Sequence, residues 1–200
     1  ILAQALIALL KENPRAVGLD IFRDIPVPPG TDLLDTVLTK NPNIIVTMKF
    51  GEGGVRPPPV LKGTDQVSFN DILVDPGGVV RRGLFFLDDG DSVAYSFSLR
   101  LALLYLQAQG IAPQPDEQNP QHLRLGSVTF RPFEENDGGY AKADARGYQF
   151  FLDYQGPVPP FRSYSLSNLL SGKVPPKAIH DKIVLIGVTA QSVKDFFFTP

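Results

Sequence analysis

The sequence predicts an α/β protein with a mixed, mostly parallel central sheet flanked by helices and with antiparallel strands and a hairpin at its edges. Three observations carry this. Helix-period and strand-like apolar runs alternate over residues 2–49, the β-branched run Lys182-Ile-Val-Leu-Ile-Gly187 is uninterrupted, and Leu123–Leu125 and Val128–Phe130 flank a two-residue Gly126-Ser127 turn.

Taken in order, Leu2, Leu6, Leu9 and Leu10 form the stripe of an amphipathic helix that Asn13-Pro14 stops. Ala16 to Phe22 reads as a buried strand with a polar end. Asp32 to Leu38 reads as a helix capped by Thr31 or Asp32, and Asn43 to Lys49 as a second buried strand. Residues 51–63 carry Pro57-Pro58-Pro59 and read as loop. Val67 to Asn70 and Val79 to Leu87, separated by the Asp75-Pro-Gly-Gly78 turn, read as antiparallel strands at a sheet margin. Ser96 to Gln109 is the strongest helix, with Gly110 suited to its C-terminal end. The polar stretches 111–121 and 134–147 read as loops, and Tyr148 to Tyr154 as a third buried strand. A short helix capped by Ser163 or Ser165 runs to Leu170 and ends at Gly172. No internal repeat or composition break divides the chain, so residues 1–200 are expected to be one domain.

Leu, Ile, Val and Phe supply 66 of the 200 residues, enough to drive folding without staples. Nineteen basic residues balance 21 acidic ones without a like-charge run, so no nucleic-acid partner is expected. Cysteine is absent, which removes disulfides, thiol nucleophiles and thiolate metal sites. His122 and His180 are the only histidines, so no metal centre and no cofactor is expected. The apolar stretch 1–10 is too short to span a bilayer. The chain opens inside a helical pattern without Met and stops at Thr199-Pro200, so it is read as part of a longer protein.

Several stretches occur together in a telling order: Val17-Gly-Leu-Asp-Ile-Phe22, Asp75 with Gly78-Val-Val-Arg-Arg82, Ser96-Phe-Ser-Leu99, Phe151 to Gly156, and Asp181-Lys-Ile-Val-Leu-Ile-Gly187 followed by Thr189-Ala190, Asp195 and Thr199-Pro200. Over nearly the whole chain they resemble the type-2 CHASE domain, an extracellular sensory domain associated with bacterial cyclases and histidine kinases. The resemblance implies an extracytoplasmic, ligand-binding sensor domain of a membrane-anchored bacterial receptor. Its implied partners are flanking membrane helices and a cytoplasmic output domain of the same chain (a kinase, nucleotide cyclase or cyclic-dinucleotide enzyme), with a homodimer as a further arrangement. Two features depart from the family: the strand and acidic motif usually found upstream of the opening helix, and an Asp-Gly where this chain has Gly77-Gly78.

Ligands of open α/β sheets gather outside the carboxyl ends of the strands. That rule makes Asp20 and Asp24, Asp153 and Tyr154, and Gly187, Thr189 and Asp195 the candidate ligand-binding residues for an unidentified small molecule. Carboxylates there suit an amine, a sugar hydroxyl or a hard cation, and backbone N–H groups beyond Gly187 suit an anion; the same residues also serve as turn caps or ion-pair partners. Of Arg81 and Arg82, strand alternation sends one side chain inward to pair with Asp20 or Asp75. Arg81 is also an anion-clamp candidate. No Gly-x-Ser-x-Gly elbow is present and His180 is expected at the surface, so no catalytic residue is named and the domain is not expected to be an enzyme. Two other classes stay open: a module that binds a protein or envelope partner through loops 57–59, 111–121 and 134–147, and a carboxylate-based extracytoplasmic hydrolase.

Overall fold

The structure is a computed structural model that describes every residue except 52, 89–91, 155, 157–160 and 191–196. In chain order its elements are α1 (Leu2–Leu10), β1 (Ala16–Asp20), α2 (Thr31–Lys40), β2 (Ile44–Met48), β3 (Val67–Phe69), β4 (Arg82–Leu84), β5 (Phe86–Asp88), β6 (Val93–Tyr95), α3 (Phe97–Gln107), β7 (Pro113–Pro115), β8 (Leu123–Leu125), β9 (Val128–Phe130), β10 (Gln149–Phe151), α4 (Leu166–Leu170) and β11 (Ile183–Gly187). The chain divides into two compact units, Ile1–Phe69 with Gln155–Thr189 and Asn70–Tyr154 with Ala190–Pro200.

The first unit is built on an all-parallel sheet of order β11-β1-β2-β3. Register sets Val17 beside Val184 and Ile44, and Leu19 beside Ile186 and Val46. That face packs against Leu6 and Leu9 of α1, Val37 and Leu38 of α2, Leu61 and Ile179. On the opposite face Ile45, Thr47 and Ser68 are also buried, which explains why β2 reads as an unbroken apolar run rather than an alternating one. The buried Gln66 side-chain amide donates to the carbonyls of Leu38 and Ile44, both at 2.9 Å, satisfying oxygens exposed where α2 ends and β2 begins.

Two expectations change here. Val67–Phe69 is a parallel strand of the main sheet, not an antiparallel margin; residues 49–66 are long enough for the crossover that a parallel neighbour needs. The N-terminus of α2 is set by Gly30 at φ 94°, with no side-chain cap from Thr31 or Asp32. The terminal run Ile183–Gly187 is an edge strand whose burial alternates. Val184 and Ile186 face the core, while Ile183 and Leu185 are 38% and 64% exposed.

A polar stitch joins the α1–β1 turn to the start of β11. Arg15 donates to both carboxylate oxygens of Asp181 at 2.7 and 2.6 Å, its backbone N–H donates to Lys182 O, and Asp181 N–H donates to Asn13 O. The planar guanidinium fork matches a carboxylate in this way and fixes orientation as well as distance.

In the second unit the strands form small antiparallel sheets, β10-β4, β5-β6 and β7-β8-β9. Its core holds Phe85, Leu99 and Tyr148, with Phe85 stacked on Phe150 at 4.0 Å and edge-on to Phe130 at 5.0 Å. The predicted 123–130 hairpin forms with Leu125 opposite Val128, and Ser96 caps α3 by accepting from Leu99 N–H. Within the expected loop 111–121, Pro113–Pro115 adds a third strand to that hairpin. The segment read as a third buried strand of the main sheet is the three-residue β10, paired antiparallel to β4, with Phe151 46% exposed. Its apolar run packs aromatic rings rather than a sheet interior. A Cβ on Gly83 would stand 2.8 Å from Phe150 Cζ, so a side chain there would have to displace the Phe150 ring.

Candidate functional site

The structure places the candidates in both units. Asp20 ends β1 directly beside Gly187, which ends β11, and a Cβ built on Gly187 would meet Asp20 Cβ at only 3.9 Å, an ordinary contact. Gly187 has no positive φ, so nothing in its local backbone demands glycine. Thr189 follows two residues on and is exposed, as is Asp20; Asp24 is half-buried on the loop after β1. The strand-end rule therefore brings Asp20 and Gly187 together, with Thr189 close in the chain.

Arg81, Asp153 and Tyr154 belong to the second unit. Tyr154 O–H donates to Val80 O at 2.9 Å, and Leu152 N–H donates to Arg81 O at 2.9 Å, so Arg81 and the 152–154 segment are neighbours there. Asp153 is exposed. Asp195 lies outside the described residues.

Of the arginine pair, Arg82 points inward and its carboxylate is Asp75. Arg82 Nε and Nη2 donate to Asp75 Oδ1 at 3.1 and 2.5 Å, and both side chains are almost fully buried. The other carboxylate oxygen receives Tyr140 O–H and, at 3.4 Å, Arg81 Nη1; the Arg81 side chain is 43% exposed. Arg82 also donates to Gln149 Oε1 at 2.7 Å and Asp144 O at 3.0 Å, with its guanidinium 4.7 Å from the centres of the Phe133 and Tyr140 rings. Desolvation works to raise the Asp75 carboxyl, but hydrogen bonds from Tyr140 and Arg82 and the Arg82 charge outweigh it and hold the group below its usual value. Burial and the Asp75 hydrogen bond push the Tyr140 phenol up.

Sequence reading reached Asp75 through the arginine alternation. Tyr140, Gln149 and Phe133 were missed because each looks like an ordinary loop or strand residue until the chain brings it to Arg82. Residues 134–137 line an open cleft of about 320 Å³, where Arg131 already pairs with Glu134 and Asp137. Among the described residues, no three His, Asp or Glu side chains gather closely enough to hold a metal ion. No described helix is long and apolar enough to cross a membrane.

These features define an α/β domain with polar groups set at the ends of a parallel sheet. The family model of the CHASE2 domain matches residues 1–200, so the chain belongs to the CHASE2 family, a family of extracellular sensory domains rather than of catalytic ones. Comparison with curated proteins and with solved structures returns no match.

Proposed function

We propose that this chain is the signal-sensing domain of a bacterial transmembrane receptor, binding a small polar ligand outside the cytoplasm and passing the event to a cytoplasmic kinase, nucleotide cyclase or cyclic-dinucleotide enzyme. Membership of the CHASE2 family carries the reading. The ligand site we assign is the carboxyl end of β1 and β11, where Asp20, Asp24 and Thr189 supply polar side chains and Gly187 supplies backbone; Arg81, Asp153 and Tyr154 are separate candidates within the second unit, and Asp195 is a candidate from the sequence alone. A ligand signals only if it binds one arrangement of the domain better than another. The Arg15–Asp181 stitch supports α1 and β11 as the elements that carry that preference, since it makes the two ends of this unit respond together. A homodimer would double the linkage.

The test is a thermal-shift screen of the 200-residue chain against organic acids, amino acids, sugars, divalent cations and simple anions, run in parallel on Asp20→Asn. A ligand at 100 times its dissociation constant adds about 2.7 kcal/mol to the folded state, roughly 5–10 °C for a chain of this size. A hit lost in Asp20→Asn supports the strand-end site. A flat screen moves the reading to a partner-binding module, which Ile25 at 68% exposure and Val27 at 60% on the loop after β1 favour.

A further inference from the structure

We propose that residues 133–147 form a strap that opens as a unit while the Asp75–Arg82 pair stays intact, and that its opening is passed through the Asp75 turn to residues 197–200.

The strap is polar and mostly exposed, and its internal order is a run of turns around Asp137–Gly139, with Asp137 N–H on Glu134 O and Ala143 N–H on Glu135 O. Several of its holds on the rest of the second unit meet at one arginine, Arg82. Phe133 and Tyr140, edge-on to each other at 5.3 Å, both lie against the Arg82 guanidinium, and Asp144 O takes an N–H from it. Further anchors are Tyr140 O–H on Asp75, the Gln149 side-chain amide on Asp144 O and Arg146 O, Phe133 N–H on Gln149 O at 2.9 Å, the edge-on contact of Phe133 with Phe151, and Arg131 on Glu134 and Asp137. Phe133 is the one buried residue of the strap, and a segment with so few buried apolar contacts belongs to the part of a structure that opens first.

The charges make opening feasible. When the strap leaves, Asp75 keeps Arg81 and Arg82, and Arg82 keeps Asp75 and Gln149. No buried charge loses its counter-charge, so the large penalty for breaking a buried pair is never incurred.

Asp75 is also a backbone hinge. Its N–H donates to Val79 O at 3.0 Å, and its carbonyl accepts from Gly78 N–H at 2.9 Å, closing the turn that carries Val79 and Val80. Val79 pairs in parallel with Phe198, and Val80 N–H donates to Phe198 O at 2.9 Å. Losing Tyr140 from one carboxylate oxygen thus alters the residue that shapes the seat of segment 197–200. The inference rests on the sensing role only for its meaning in signalling, because the coupling itself needs no ligand.

Native-state hydrogen exchange of the 200-residue chain tests it, comparing wild type, Tyr140→Phe and, as control, Tyr148→Phe. Tyr148 O–H donates to Phe130 O and accepts from Leu123 N–H, away from the strap anchor. Tyr140→Phe should speed exchange of the Phe133 and Val80 amides together, roughly tenfold, the equivalent of one charge-assisted hydrogen bond, with the Phe85 amide unchanged. Tyr148→Phe should speed Leu123 and leave Val80 alone. Faster Phe133 with an unmoved Val80 would overturn the coupling, an unmoved Phe133 would overturn the latch, and a rise that includes Phe85 would show global unfolding instead. All three outcomes are independent of the thermal-shift screen, so either reading can fail alone.

Discussion

Replacing Asp75 by Asn removes the negative charge from a pair in which the Asp75 side chain is 2% exposed and that of Arg82 7%. Asn retains an oxygen for Arg82 Nε and Nη2, but it presents an amide N–H to the position that now accepts Tyr140 and Arg81. Leaving a buried cation without its counter-charge costs about 3–5 kcal/mol. The Phe133 and Tyr140 rings and the oxygens of Gln149 and Asp144 still surround Arg82, which places the cost near the lower end, about 3 kcal/mol. Urea unfolding followed by tyrosine emission suits the question, because five of the six tyrosines (Tyr95, Tyr105, Tyr140, Tyr148 and Tyr154) belong to the second unit and tryptophan is absent. Combining Asp75→Leu with Arg82→Met removes the unpaired charge but strands the buried Gln149 oxygen and the Tyr140 hydroxyl, so it should recover only part of the loss. A loss below about 1 kcal/mol for Asp75→Asn, the range of solvent-exposed pairs, would refute the claim that burial makes this pair matter.

Further outcomes follow from the same geometry. Leu19→Ala, at a fully buried position, should cost about 3 kcal/mol in chemical denaturation, whereas Leu185→Ala, 64% exposed on the edge strand, should cost under about 0.5 kcal/mol; equal costs would mean that β11 is covered on both faces. Gly83→Ala drives a Cβ to 2.8 Å from Phe150 Cζ and should destabilise the second unit by about 1–3 kcal/mol, read by the same tyrosine signal; a neutral result would show that the Phe150 ring moves freely. Asp75, Asp116, Asp137, Asp144 and Asp181 all sit below the ordinary 3.8 when folded, Asp144 at about 2. Their contribution is therefore present well above 3.8 and lost as pH falls through each group's lowered folded value, for Asp144 about 2, and Asp75→Asn should give a shallower acid limb without abolishing it, measured as melting temperature against pH.

Periodicity and turn chemistry made the local elements legible. Leu2 to Leu10, Ser96 with its helix and the Gly126-Ser127 hairpin all form where their residues place them. What the chain could not announce was pairing. Ile183–Gly187 and Ile44–Met48 look alike as apolar runs, yet one is an edge strand and the other is buried on both faces, a difference set by neighbours distant in sequence. Tyr148 to Tyr154 looked like a sheet interior because aromatic packing and strand burial select the same residue types. The candidate site was legible at Asp20 and Gly187, which one β-α-β rule places, and at Asp75 through arginine alternation. It was not legible at Tyr140, which meets Asp75 across 65 residues.

The most direct test of the proposed sensing role uses the Arg15–Asp181 stitch within the transmembrane receptor we propose. Output of its proposed cytoplasmic domain would be measured for Arg15→Asp, for Asp181→Arg and for the two combined. If α1 and β11 carry the signal together, each single reversal shifts the output and the double reversal, which restores the opposite charges, brings it back. Unchanged output in both single variants, with the domain still folded, would contradict transmission through these elements.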